Sequence, residues 1–227
     1  MLKREINVDG VLDYSLNIKK GEKIFIFSDL NAFDYCNLIA SKIIERGAIP
    51  FILWNDFSLN RALILSKNEN IYNEMFKEYE KIIDDCDAAI MLDNNIEEYE
   101  GILHEDILFF KNKYYLKVFQ KIMLFERWTY MRYPQQELAD LFGVSYDQML
   151  CLLEQVSNFD YSQIEQDGKI LKSILDQTNK IRIVTAVGTD VTFTKENIDS
   201  AVCCGKWNLP DGEVYTAPEK YSMNGEI

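Results

Sequence analysis

An alternation early in the chain limits the fold more than any other feature. Ile24-Phe25-Ile26-Phe27, Ile49 to Trp54 and Ala88 to Leu92 are short apolar runs. Between them lie segments with helical spacing: Asp34 to Arg46, with Tyr35, Leu38, Ile39 and Ile43 recurring on one face, and Ser58 to Asp85. Strands without polar alternation are buried on both faces, which happens where helices cover a parallel sheet. Strand, amphipathic helix, strand is the pattern of successive βαβ units. The expected fold class is α/β, with a three-layer N-terminal domain built on a largely parallel sheet.

Turn chemistry sets the boundaries. Lys20-Gly21-Glu22 introduces the first strand, and Gly47 suits the C-terminal cap of the first helix. The helical stretch after Ser58 breaks near Lys67-Asn68. Ile102 to Lys121 is amphipathic and reads as helix. Pro134 opens a helix that Gly143 stops, and Ser145 is placed to cap the helix Tyr146 to Ser157. Tyr161 to Asn179 forms another. After Lys180 the texture changes: Ile181 to Ala186 and Val191 to Thr194 alternate around Gly188-Thr189-Asp190, the pattern of a hairpin, and Ala201 to Tyr215 adds further short strands. These signals divide the chain into residues 1–160, the α/β domain, and 161–227, a mixed α+β segment; no Pro/Gly/Ser linker marks the boundary.

Composition removes several function classes. Hydrophobic residues make up 48% of the 227, enough for a substantial core. The formal net charge of −13 repels phosphate backbones, and no basic stripe offsets it, so nucleic acid is not an expected partner. Apolar runs such as Ala88 to Leu92 fall far short of the roughly 20 residues that span a bilayer. Charges interrupt Met1 to Asp9, so no signal-peptide core is expected there. Five cysteines, an odd number lying mostly in apolar surroundings, read as reduced thiols of a cytoplasmic protein. Adjacent Cys203 and Cys204 lack the second Cys/His pair that a zinc site needs. The loop Ser28 to Asp34 has no glycine, no basic residue and two carboxylates, which is wrong for a pyrophosphate. Asp93, Asn94 and Asn95 follow the third strand, where small ligands bind in such sheets.

The other unusual run is Asn208-Leu209-Pro210-Asp211-Gly212-Glu213-Val214-Tyr215-Thr216-Ala217-Pro218. It sets one carboxylate, Glu213, on a strand-like segment between a glycine and a proline. On spacing alone Glu213 is either a solvated strand-end residue or a metal ligand. Other residues carry similar pairs of readings. His104, the single histidine, precedes Glu105 and Asp106 and suits a helix start or half a metal site. Arg127 and Arg132 fit ion pairing or a carboxylate clamp. Asp190 fits a turn or support for a ligand, and Tyr114, Tyr115, Tyr130 and Tyr133 fit core or substrate stacking.

Three strings occur in order: Glu126-Arg127-Trp128-Thr129-Tyr130-Met131-Arg132-Tyr133-Pro134, then Gly188-Thr189-Asp190-Val191-Thr192-Phe193, then the run around Glu213. With Tyr14-Ser15-Leu16, Lys19-Lys20-Gly21-Glu22 and Gly47-Ala48-Ile49-Pro50 before them, they resemble the M29 metallo-aminopeptidases over essentially the whole chain. The resemblance implies a homodimeric aminopeptidase that releases N-terminal residues from peptides with two divalent ions, zinc, cobalt or magnesium. It implies that Glu213 ligates one of them. The family's other ligands and its catalytic Tyr are expected beyond Ile227, so no catalytic residue is assigned within this chain. Residues 161–227 are then the truncated opening segment of a catalytic domain. The alternative is a non-catalytic remnant that binds or oligomerises.

Overall fold

A computed structural model of the chain describes residues 7–94 and 99–226. In chain order its strands are β1 (Lys23–Asp29), β2 (Ile49–Asn55), β3 (Ala88–Leu92), β4 (Trp128–Met131), β5 (Lys180–Val184), β6 (Asp190–Thr194), β7 (Ala201–Cys203), β8 (Asn208–Leu209), β9 (Glu213–Tyr215) and β10 (Asn224–Glu226). The helices are α1 (Val8–Gly10), α2 (Phe33–Glu45), α3 (Phe57–Ser66), α4 (Glu69–Asp84), α5 (His104–Phe110), α6 (Leu116–Ile122), α7 (Gln136–Leu141), α8 (Tyr146–Ser157) and α9 (Tyr161–Asp176). The chain divides into two compact units, one of Met1–Phe159 with Lys206–Pro210, the other of Asp160–Gly205 with Asp211–Ile227.

The first unit holds a five-stranded sheet in the order β2-β1-β3-β4-β8, with every neighbouring pair parallel. The α/β architecture expected from the alternation is therefore present. β1 and β3 lie inside the sheet and are buried nearly end to end. β2 is an edge strand and tolerates Pro50, since an edge residue can do without one ladder donor. One face presents Phe25, Phe27, Ala89 and Met91 to Ile83 of α4 and to Tyr115, Val118 and Ile122 of the α5–α6 segment. Phe25 and Phe27 are 1% and 2% exposed; burying such a side chain stabilises the fold by about 1.5–3 kcal/mol. α2 runs beside β1 and β2 and buries Cys36, Ile39, Ala40 and Ile43; of the expected stripe Ile39 and Ile43 are buried, while Tyr35 and Leu38 are half-buried at its margin.

Local chemistry ends the helices where the sequence indicates. Lys67 is left-handed, at φ 48°, and separates α3 from α4, and Asn68 caps α4 by accepting from the Asn70 amide. Gly47 at φ 73° closes the α2 corner. Ser145 and Gln148 form a reciprocal capping box at α8. α7 starts at Gln136, two residues after Pro134, with Gln135 as its N-cap.

In the second unit the hairpin β5–β6 forms around Gly188, and β10 adds antiparallel to β6. β7 and β9 form a separate two-stranded antiparallel ribbon. α9 packs on that ribbon through Gly168, where a Cβ would lie 2.6 Å from Val202 Cγ1. The C-terminus of α9 is tied down by charge. Asp176 accepts from Lys172 Nζ at 2.6 Å, from the Ser200 amide at 2.8 Å and from Lys195 Nζ at 3.2 Å. Those partners, Lys172 foremost, hold the Asp176 carboxyl well below the usual carboxylate range.

Candidate functional site

Glu213 is positioned by the turn before it and by its pairing across the ribbon. Gly212 has φ 136°, a backbone region that residues with a Cβ rarely adopt. Asp211 Oδ2 accepts from the Gly205 amide at 2.7 Å and closes the turn between β7 and β9. In the ribbon Glu213 pairs with Cys203, Val214 with Val202, and Tyr215 with Ala201. Val214 sits near Gly168 of α9, so strand alternation turns Glu213 to the opposite face, where it is exposed.

The donors around Glu213 do not make up a metal site. A catalytic zinc takes three protein ligands and keeps one position open. Among the described residues, no three His, Cys, Asp or Glu side chains gather where an ion could be held. Cys203 is the cross-strand neighbour, and its thiol is pushed up by burial and then by the Asp211 and Glu213 charges.

The remaining candidates have structural partners. His104 is exposed at the start of α5, and its neighbour Asp106 pairs with Lys67 at 2.7 Å. Arg127 donates to both carboxylate oxygens of Glu22, at 2.7 and 3.2 Å, and to the Leu16 carbonyl at 3.0 Å, which fastens the segment before β1 to the start of β4. Arg132 donates to the Asn94 carbonyl at 2.9 Å. Asp190 accepts a two-pronged bond from Arg182 across the hairpin, at 2.8 and 2.7 Å. Tyr114, Tyr115 and Tyr133 are buried, and Tyr130 is half-buried.

At the carboxyl ends of the parallel strands lies a cluster that sequence reasoning found only in part: it singled out Asp93 and Asn94 but not their meeting with Asp29 and Tyr133. Asp29 ends β1 and Asp93 follows β3; both are buried, at 2% and 3% exposure. The chain leaves β1 toward β2 on one side and leaves β3 toward β4 on the other, so these carboxylates flank the switch point of the sheet. Asp29 accepts from Asn55 Nδ2 at 2.8 Å, Tyr133 Oη at 3.0 Å and the Asn94 amide at 3.3 Å. Burial and the Asp93 charge raise its carboxyl to about 7, against the opposing pull of those donors. Asp93 accepts from the Tyr115 hydroxyl. Asn94 also donates to Gln135 Oε1 at 2.8 Å and to the Tyr133 carbonyl at 3.0 Å. Asn95 lies outside the described residues. The Ser28–Asp34 loop shows two carboxylates in the sequence, but the Asp29–Tyr133 bond joins residues 104 positions apart and leaves no local signal.

The comparisons with known proteins agree with this architecture. The structure is similar to that of wild-type AmpT from Thermus thermophilus, with a TM-score of 0.74 and 16% identity over 96% of this chain. The match takes in 62% of the AmpT chain, so this chain spans less than two thirds of that structure's length. No curated protein matches the chain. The family model described as thermophilic metalloprotease (M29) matches residues 8–227. By that match the chain belongs to the M29 family of thermophilic metalloproteases.

Proposed function

We propose that this chain contributes to an aminopeptidase that releases N-terminal residues from peptides with two divalent ions, zinc, cobalt or magnesium, and that Glu213 ligates one of them. The supporting observation is the family match across residues 8–227, which takes in the whole run around Glu213. The backbone at that residue adds to it: a carboxylate on a short strand beyond a positive-φ glycine needs little further ordering to meet an ion. One carboxylate cannot hold a catalytic ion, still less two. On this reading the other ligands and the catalytic groups come from protein outside this sequence, and residues 161–227 are the opening segment of the catalytic domain. No hydrolytic step is assigned to any residue of this chain. Among the described residues no helix is long and apolar enough to cross a membrane, and we place the protein in the cytoplasm as a homodimer.

The test is release of chromophore from an aminoacyl p-nitroanilide with added Zn²⁺ or Co²⁺, run beside Glu213→Gln. The chain is expected to turn over no faster than the metal salt alone. Robust turnover that survives Glu213→Gln would refute the assignment.

A specific observation also favours a second reading, a binding or oligomerisation module. Ile170, Leu171 and Ile174 of α9, Ile183 and Val184 of the edge strand β5, and Val187 in the hairpin turn are all exposed, Val187 at 93%. So much apolar surface in one small unit favours association. Sedimentation showing a monodisperse monomer would count against it.

A further inference from the structure

The first unit has a pocket of about 380 Å³, lined by residues that directly follow β1 and β4 and by the first turns of α2 and α8. That volume falls at the small end of ligand sites, roughly 300–1,000 Å³. Four aromatic side chains line it, Phe33, Tyr35, Tyr133 and Tyr146, with one carboxylate, Asp34. Among the described residues no lysine or arginine joins them. Three of the rings are steadied by neighbours that do not line the pocket. Phe33 stacks on Trp54 with ring centroids 5.6 Å apart. The Tyr133 hydroxyl donates to Asp29 at 3.0 Å. Tyr146 follows Ser145, whose capping box fixes the first turn of α8. Asp34 is exposed, and among the described residues no cation or hydrogen-bond donor pairs with it.

The chemistry of this lining selects a cation. An aromatic face carries the negative part of the ring quadrupole, so a positive ion set among several rings is attracted by each. Asp34 adds a full negative charge, which outweighs the roughly +0.5 charge of the α2 N-terminus in whose first turn it lies. An anion would meet Asp34 repulsively, and the net charge of −13 enriches cations around the whole molecule. The kind of cation follows from hydrogen bonding. A primary ammonium must find acceptors for three N–H groups, and Asp34 is the one carboxylate lining the pocket among the described residues. A quaternary ammonium has no N–H to satisfy and presents only methyl groups to the rings. We propose that this pocket binds a small quaternary ammonium ion, its methyl groups packed against Phe33, Tyr133 and Tyr146 and its charge beside Asp34. The absence of basic residues from the Ser28–Asp34 loop, which is wrong for a pyrophosphate, is what such an ion requires. The proposal stands on the first unit alone and is independent of the peptidase reading.

Isothermal titration of the whole chain in EDTA-containing buffer reads the site without any peptidase turnover. The probes are choline, its uncharged isostere 3,3-dimethylbutan-1-ol, its unmethylated analogue ethanolamine, and phosphocholine, which carries the same ammonium as a lipid head group. Choline is expected to bind saturably, at least about tenfold tighter than the uncharged isostere and tighter than ethanolamine. Phosphocholine is expected to bind more weakly than choline, because its phosphate brings negative charge toward Asp34. Asp34→Asn is expected to weaken choline binding several-fold and to leave the uncharged isostere unchanged. Tyr146→Leu, at a position 42% exposed, is expected to weaken choline several-fold while circular dichroism stays unchanged, and it carries the test if Asp34→Asn fails to fold. The proposal is overturned if choline does not bind, if the uncharged isostere or ethanolamine binds as well as choline, or if a folded variant binds choline like the parent. Phosphocholine binding tighter than choline would also overturn it, by giving the site to a phosphate-bearing head group.

Discussion

The two units treat their carboxylates and their strands in opposite ways. In the first, β1 and β3 are buried along their length, and Asp29 and Asp93 sit inside the protein, held by tyrosine and asparagine side chains. In the second, β5 is largely exposed, the buried strand residues are chiefly Val191 and Phe193 of β6, and Glu213 stands in solvent where, among the described residues, no three metal donors gather. A buried carboxylate is costly unless donors surround it, so the Asp29 cluster can exist only where a core is already complete. An exposed carboxylate costs little to hold and is open to an ion, but it gives no stability in return. The contrast separates what holds the first unit together from the residue proposed to serve catalysis.

Core substitutions should show this difference most strongly. Phe27→Ala removes a ring that is 2% exposed on a central strand and should cost about 3–5 kcal/mol. Ile174→Ser, at a position 58% exposed on α9, should change stability by no more than about 0.5 kcal/mol. Urea denaturation of the two variants checks the pair. Equal losses would mean that the second unit has a core of its own around Ile174.

The pH dependence of the Asp29 cluster should be nearly as large. Folding raises this carboxyl from 3.8 to about 7. Between those values the folded chain keeps a proton that the unfolded chain has released. The stability due to this group is therefore fully present below about pH 4 and is lost as pH rises to about 7, by up to about 4 kcal/mol. Thermal melting across that window should fall more steeply for the parent than for Asp29→Asn, which has no proton to lose. Parallel curves would remove Asp29 from the account.

A smaller effect should appear in the second unit. Gly168→Ala places a methyl group 2.6 Å from Val202 Cγ1 and should loosen the packing of α9 on the β7–β9 ribbon by about 1–3 kcal/mol. Amide hydrogen exchange should quicken in residues 201–203 and 213–215 and stay unchanged in β1 and β3. Faster exchange in β1 would show that the units do not respond separately.

Sequence reasoning reads local physics well and distant partnership poorly. The α3–α4 break at Lys67, the Ser145 capping box and the hairpin around Gly188 are all written in adjacent residues, and the apolar runs of β1 and β3 announce a covered parallel sheet. β4 and β8 are harder to see. β4 is four residues long with alternate positions half-buried, and β8 is two residues that earn their place by pairing with β4. The Asp29–Tyr133 and Asp93–Tyr115 bonds join residues 104 and 22 positions apart, so no window of sequence contains both partners and their surroundings. Glu213 stands in a distinctive local run, but on spacing alone that run does not separate a metal ligand from a solvated strand-end carboxylate. Its proposed role rests on the resemblance of the run around it, and its backbone geometry is compatible with that role.

The most direct test of the role of Glu213 is anomalous diffraction at the zinc edge from zinc-soaked crystals of this chain joined to the remaining part of an M29 catalytic domain, which supplies the other ligands. The account predicts a peak about 2.0–2.2 Å from a Glu213 carboxylate oxygen, absent in Glu213→Gln. Zinc peaks elsewhere on the molecule with none beside Glu213 would contradict it.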